Sequence, residues 1–102
     1  MNEIKIIVQM LKQLLKDMEI VSSQGSGYYT CVPFLKRYNK LLEEGQRILS
    51  QSGITSVIRT FEPLQESDPK DPSDKSKVLL SIRVETSQLI TLLEMVSTED
   101  KK

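Results

Sequence analysis

From Ile4 to Val21, apolar residues recur at alternating three- and four-residue steps: Ile4, Ile7, Leu11, Leu14, Met18 and Val21. A strand alternates with period two, so this spacing predicts a helix over 2–21. Val8 and Leu15 widen the stripe on one side. That is the face of a helix packing into a bundle, broader than the seam of a two-stranded coiled coil. Ile6 and Ile20 fall off the stripe. They read either as isolated exposed residues or as part of a second contact surface.

Residues 22–29 (SSQGSGYY) are small, polar and glycine-containing, which predicts a loop. Thr30 is a candidate N-cap for a second helix, with Pro33 tolerated in its first turn. Phe34, Leu35, Tyr38, Leu41, Leu42, Ile48 and Leu49 continue that helix to about Ser52. Gly45 sits on the same stripe, where it costs about 1 kcal/mol against alanine unless it lets another helix approach closely. Gly53 is placed to end the helix in a left-handed cap. Ile54, Val57, Ile58, Phe61 and Leu64 suit a short third helix disrupted near Pro63, and QESDPKDPSDKSK over 65–77 reads as a flexible polar loop.

Residues 78–98 admit two readings. Leu79, Ile82, Thr86, Leu89, Leu93 and Val96 make a three-four helical stripe, with Ser73 as candidate cap and with Leu80 and Val84 left outside it. Val78, Leu80, Ile82 and Val84 also alternate with period two, as a strand would. The favoured expectation is an all-α, four-helix bundle-like fold. The alternative is α+β: a helical hairpin, a β-hairpin pairing 54–61 with 78–85, and a C-terminal helix. At 102 residues, the expected organisation is one domain, 1–102, burying roughly two thirds of its extended surface. With two Phe, three Tyr and no Trp, its core must be mostly Leu, Ile and Val.

The charges balance at fourteen basic and fourteen acidic residues, with a net +3 over 1–60 (eight basic, five acidic) and −3 over 61–102 (six basic, nine acidic). No global basic excess points to nucleic acid or an acidic membrane. One cysteine, Cys31, forms no intramolecular disulfide. The N-terminal helical pattern carries Lys5, Lys12 and Lys16 and lacks signal-peptide regions. No stretch has the ~20 apolar residues of a membrane span. A cytoplasmic location is the expectation.

Histidine is absent, which removes the commonest general base and transition-metal ligand. Ser-His-Asp and Cys-His devices, four-ligand Cys/His zinc sites and Glu-x-x-His di-iron sites are therefore impossible within this chain. Cys31 heads the second helix near Tyr28, Tyr29 and Tyr38, and reads as a small core residue more readily than as an activated thiol. Gly25-Ser26-Gly27 lacks both phosphate-loop patterns and a preceding strand. Glu43 and Glu44 point about 100° apart on a helix, where Lys40 and Arg47 can pair with them. Asp68, Asp71 and Asp74 recur every third residue, but the intervening prolines break a calcium loop.

No catalytic, cofactor-binding or metal residue is therefore expected, and the chain does not read as an enzyme. Leu80, Val84, Ile6 and Ile20 are hard to bury in a lone bundle. That surplus points to a non-catalytic protein–protein interaction or adaptor module that self-associates as a symmetric dimer, with a further protein partner allowed. The alternative is a nucleic-acid-associated regulatory protein using Lys36, Arg37 and Lys40, whose field Glu43 and Glu44 reduce. Nucleic acid is the less expected partner, and no membrane partner is expected.

Overall fold

The computed structural model describes residues 3–23, 31–51, 53, 58–66 and 69–100. It is all-α: α1 (Glu3–Ser23), α2 (Val32–Gln51), a single 3-10 turn (Ile58–Thr60) and α3 (Pro72–Asp100). Among the described residues there is no strand. Residues 78–85 lie within α3, so the β-hairpin alternative does not hold; 54–57 lie outside the described residues. The three-four stripe wins because it buries Leu79, Ile82, Thr86, Leu89, Leu93 and Val96 together. Thr86 is tolerated there because its Oγ1 donates to the Ile82 carbonyl at 2.6 Å, which satisfies the hydroxyl inside its own helix.

Four of the helix ends have an identifiable device. Glu3 places a carboxylate in the first turn of α1, where the helix dipole favours it. The carbonyl of Cys31 accepts from the Leu35 N–H at 3.0 Å, making Cys31 the residue that opens α2; Thr30 lies outside the described residues. Gly53, with φ +80°, follows the end of α2, its N–H bonded to the Ser50 carbonyl at 3.1 Å. That left-handed backbone is the one anticipated for it.

The start of α3 corrects the expected 65–77 loop. Residues 72–77 are helical. Asp71 is the N-cap: its Oδ1 accepts from the Ser73 N–H at 2.8 Å and its carbonyl from the Lys75 N–H at 2.9 Å. Pro72 then occupies the first helical position, where its missing N–H costs nothing and its fixed φ suits the helix. Ser73 is inside the helix and is not its cap. The second Asp-Pro step begins a helix instead of interrupting the chain.

Cross-helix contacts fix the topology. Lys12 of α1 pairs with Glu94 of α3 at 3.0 Å. Cys31 Sγ donates to the Lys75 carbonyl at 3.7 Å, and Gly45 faces Leu93. The start of α2 therefore lies by the start of α3 and its later turns by later turns, so the two run parallel. α1 runs antiparallel to α3 and packs against both. With 29 residues, α3 is about 43 Å long, nearly the whole 46 Å length of the molecule.

Parallel neighbours need a connection that returns along the bundle, and the described residues 58–66 of that connection lie along α2. Among the described residues there are three α-helices, and the 3-10 turn Ile58–Thr60 is the helical part of the segment expected to form the short additional helix; 54–57 lie outside the described residues. Within the connection Ile58 and Phe61 are buried, and Phe61 N–H closes the 3-10 turn on the Ile58 carbonyl at 3.1 Å. Beyond Phe61 the chain is extended. Pro63 has no N–H to continue a helix and disfavours helical backbone at Glu62. Side chains of α2 hydrogen-bond this stretch instead: Gln46 Nε2 donates to the Phe61 carbonyl at 3.1 Å, and Asn39 bonds both the N–H and the carbonyl of Leu64. The strap therefore runs antiparallel along α2.

The core is dominated by aliphatic residues, with Leu11, Met18, Leu35, Leu42, Leu49, Ile82, Leu89 and Leu93 fully buried. Tyr38 and Cys31 join them. A Cβ added at Gly45 would meet the two Leu93 methyls at 3.8 and 3.9 Å. Those are ordinary van der Waals separations, so the helix approach here does not require glycine.

Candidate interaction surface

The stripe that fills the core uses one side of α3 and leaves a second apolar series outside. Leu80, Val84 and Met95 are 58%, 44% and 62% exposed. They fall at helical spacing with Ser87, Gln88 and Thr91, all exposed, so one face of α3 carries no charge from Leu80 to Met95. Thr91 Oγ1 donates to the Ser87 carbonyl at 3.1 Å. Its hydroxyl is thereby satisfied internally, which lowers the cost of covering it.

Two shallow clefts flank this face and share Ser87 and Gln88 as their common wall. One, of about 370 Å³, lies against α1 and includes Leu15, Glu19, Leu80, Arg83 and Val84. The other, of about 430 Å³, lies against the strap and includes Thr60, Phe61, Thr91, Leu92 and Met95. A ridge between two grooves is the shape that another helix can pack against.

On α1, Ile6, Met10 and Ile20 are also exposed, but they occur among polar residues. Ile6 borders a third cleft, of about 270 Å³, with Glu3, Ile7, Glu44, Arg47 and Ile48. Of the six exposed residues, Ile6, Ile20, Leu80 and Val84 are those that the stripe analysis leaves unburied. Met10 and Met95 were not foreseen, though their positions off the two stripes are the signal that identifies them.

The residues considered for chemistry are dispersed. Cys31 and Tyr38 are both fully buried; Tyr28, Tyr29 and Gly25–Gly27 lie outside the described residues. The Tyr38 hydroxyl has no hydrogen-bond partner among the described residues. Burial first, and the charge of Glu85 second, raise its pKa well above the ordinary value of 10.0.

Glu44 accepts a hydrogen bond from Arg47 at 2.9 Å, which holds the guanidinium further into its protonated range. Lys36, Arg37 and Lys40 are exposed on α2, with Glu43 and Glu44 exposed on the following turn. Asp71 is committed to capping α3 and Asp74 lies in its first turn; Asp68 lies outside the described residues. Among the described residues no three His, Cys, Asp or Glu side chains converge as metal ligands would. None of the helices there is long and apolar enough to cross a membrane.

Comparison with protein-family models, with curated proteins and with solved structures returns no match for this chain.

Proposed function

We propose that this protein is a non-catalytic helical interaction module that self-associates as a two-fold dimer. The observation that carries this reading is the uncharged face of α3, with Leu80, Val84 and Met95 exposed outside a core that is already filled. Leu80 and Val84 are exposed one turn apart, and clustered apolar surface on a small domain marks a contact site more often than isolated exposed residues do. Two-fold dimers are the commonest closed assemblies. A reducing, cytoplasmic setting suits a chain whose single cysteine is a buried free thiol.

Size-exclusion chromatography with light scattering tests the reading. A mass near twice the 11.7 kDa of one chain is the expected result. A monomer across the whole accessible concentration range overturns self-association.

A further inference from the structure

We propose that the groove between α2 and α3 is a recognition site for an extended peptide of another molecule, one apolar at every third residue, and that the strap 58–66 fills it in cis as an autoinhibitory segment. The proposal adds a partner to the interaction module above and does not require the protein to dimerise.

α2 and α3 each pack more extensively on α1 than on each other, which leaves a groove between them. Ile58, Phe61 and Leu64 of the strap turn into it, the first two buried and the third half-buried, while Glu62, Pro63 and Gln65 are exposed. A 3-10 turn and an extended polyproline-type chain both repeat every three residues, so one face of the strap stays inward from Ile58 to Leu64.

The seat on α2 reads backbone. Asn39 and Gln46 stand two helical turns apart, about 10 Å along the axis, and three residues of extended chain cover about the same distance. The Gln46 amide therefore meets the Phe61 carbonyl, and the Asn39 amide meets both backbone polar groups of Leu64. These contacts are to main chain, so they accept any extended segment in this register. Apolar side chains at the inward positions supply the selection, as in other modes of peptide recognition.

The length of the connection lets the strap leave. Residues 54–71, eighteen in all, reach about 60 Å when extended. That is twice the ~30 Å of α2, with its 20 residues. The chain therefore joins the two helices with 58–66 out of the groove. The α3 side is already open: a cleft of about 430 Å³ lies between the strap, at Thr60 and Phe61, and Thr91, Leu92 and Met95 of α3. An incoming peptide can engage there before the strap has left.

Peptide binding to the full chain tests the proposal. A fluorescent peptide of the strap sequence, residues 58–66, is titrated by anisotropy against wild type and against Phe61→Ser/Leu64→Ser, which releases the strap and keeps the groove walls. The released variant is expected to bind the peptide. Wild type should bind roughly tenfold or more weakly, because its own strap competes. Adding Asn39→Ala to the released variant should remove binding, as should Phe61→Ser in the peptide. No binding by a released variant that keeps its helical circular dichroism, or equal binding by that variant and wild type, overturns the proposal. Should the variant unfold, native-state hydrogen exchange of wild type decides. The Phe61 and Leu64 amides are expected to exchange through a shared opening that leaves Leu42 and Leu89 protected. Exchange of all four only on global unfolding overturns the proposal.

Discussion

The side chain of Asn39 holds the backbone of Leu64 from both sides. Its Nδ2 donates to the Leu64 carbonyl and its Oδ1 accepts from the Leu64 N–H, each at 2.8 Å. One amide thus satisfies both polar groups of a partly buried residue in an extended segment with no strand beside it. Asn39→Ala is expected to destabilise the protein by about 1–3 kcal/mol, because those groups lose their partners without full return to water. Urea unfolding measures the loss. Native-state hydrogen exchange should show the Leu64 amide deprotected while α1 stays protected. An unchanged Leu64 exchange rate would mean that something other than Asn39 holds the strap.

The two described glycines should respond in opposite directions to alanine. At Gly45 the new methyl meets Leu93 at ordinary contact distance, and the helix gains propensity. Gly45→Ala should therefore stabilise by up to about 1 kcal/mol. At Gly53 there is open space, but φ is +80°, and an L-residue there costs about 1–2 kcal/mol. Thermal unfolding of the two variants distinguishes steric fit from backbone strain.

The start of α3 makes a similar contrast. Asp71→Ala removes the acceptor of the Ser73 N–H and should cost about 1 kcal/mol, as N-cap losses do. Ser73→Ala, within the exposed first turn, should change stability by less than about 0.5 kcal/mol. Equal effects from the two substitutions would place the cap at the wrong residue.

These positions show where local pattern suffices and where it does not. The stripes of α1 and α3 were legible because each helix buries one face, and the same stripes isolate Leu80 and Val84 as surplus. The strap was not. Ile58, Phe61 and Leu64 are spaced every third residue, as in a helix, but the partners that fix their backbone are Gln46 and Asn39, 15 and 25 residues away. Local periodicity carries no trace of such a pairing. Asp71-Pro72 was misread for a different reason: the dipeptide that ends one helix can cap and begin the next. The uncharged face of α3 was half legible, since Ser87, Gln88 and Thr91 look like ordinary solvated positions until the fold aligns them with Leu80, Val84 and Met95.

Tyr38 gives the protein an alkaline limit. Its hydroxyl is buried without a hydrogen-bond partner among the described residues, so Tyr38→Phe should leave stability unchanged or raise it by about 1 kcal/mol. The raised phenol pKa sets the pH dependence. Below about pH 10 both folded and unfolded chains keep this proton, and the group contributes no slope. Above it the unfolded chain releases the proton while the folded chain retains it. The unfolded state then binds fewer protons, and stability falls with rising pH by at most about 1.4 kcal/mol per unit. The other tyrosines and the lysines titrate in both proteins, so the difference between wild type and Tyr38→Phe isolates this group. Urea unfolding at pH 8 and pH 11 should show wild type losing more stability than the variant. Parallel losses would mean that the Tyr38 phenol ionises as readily in the fold as outside it.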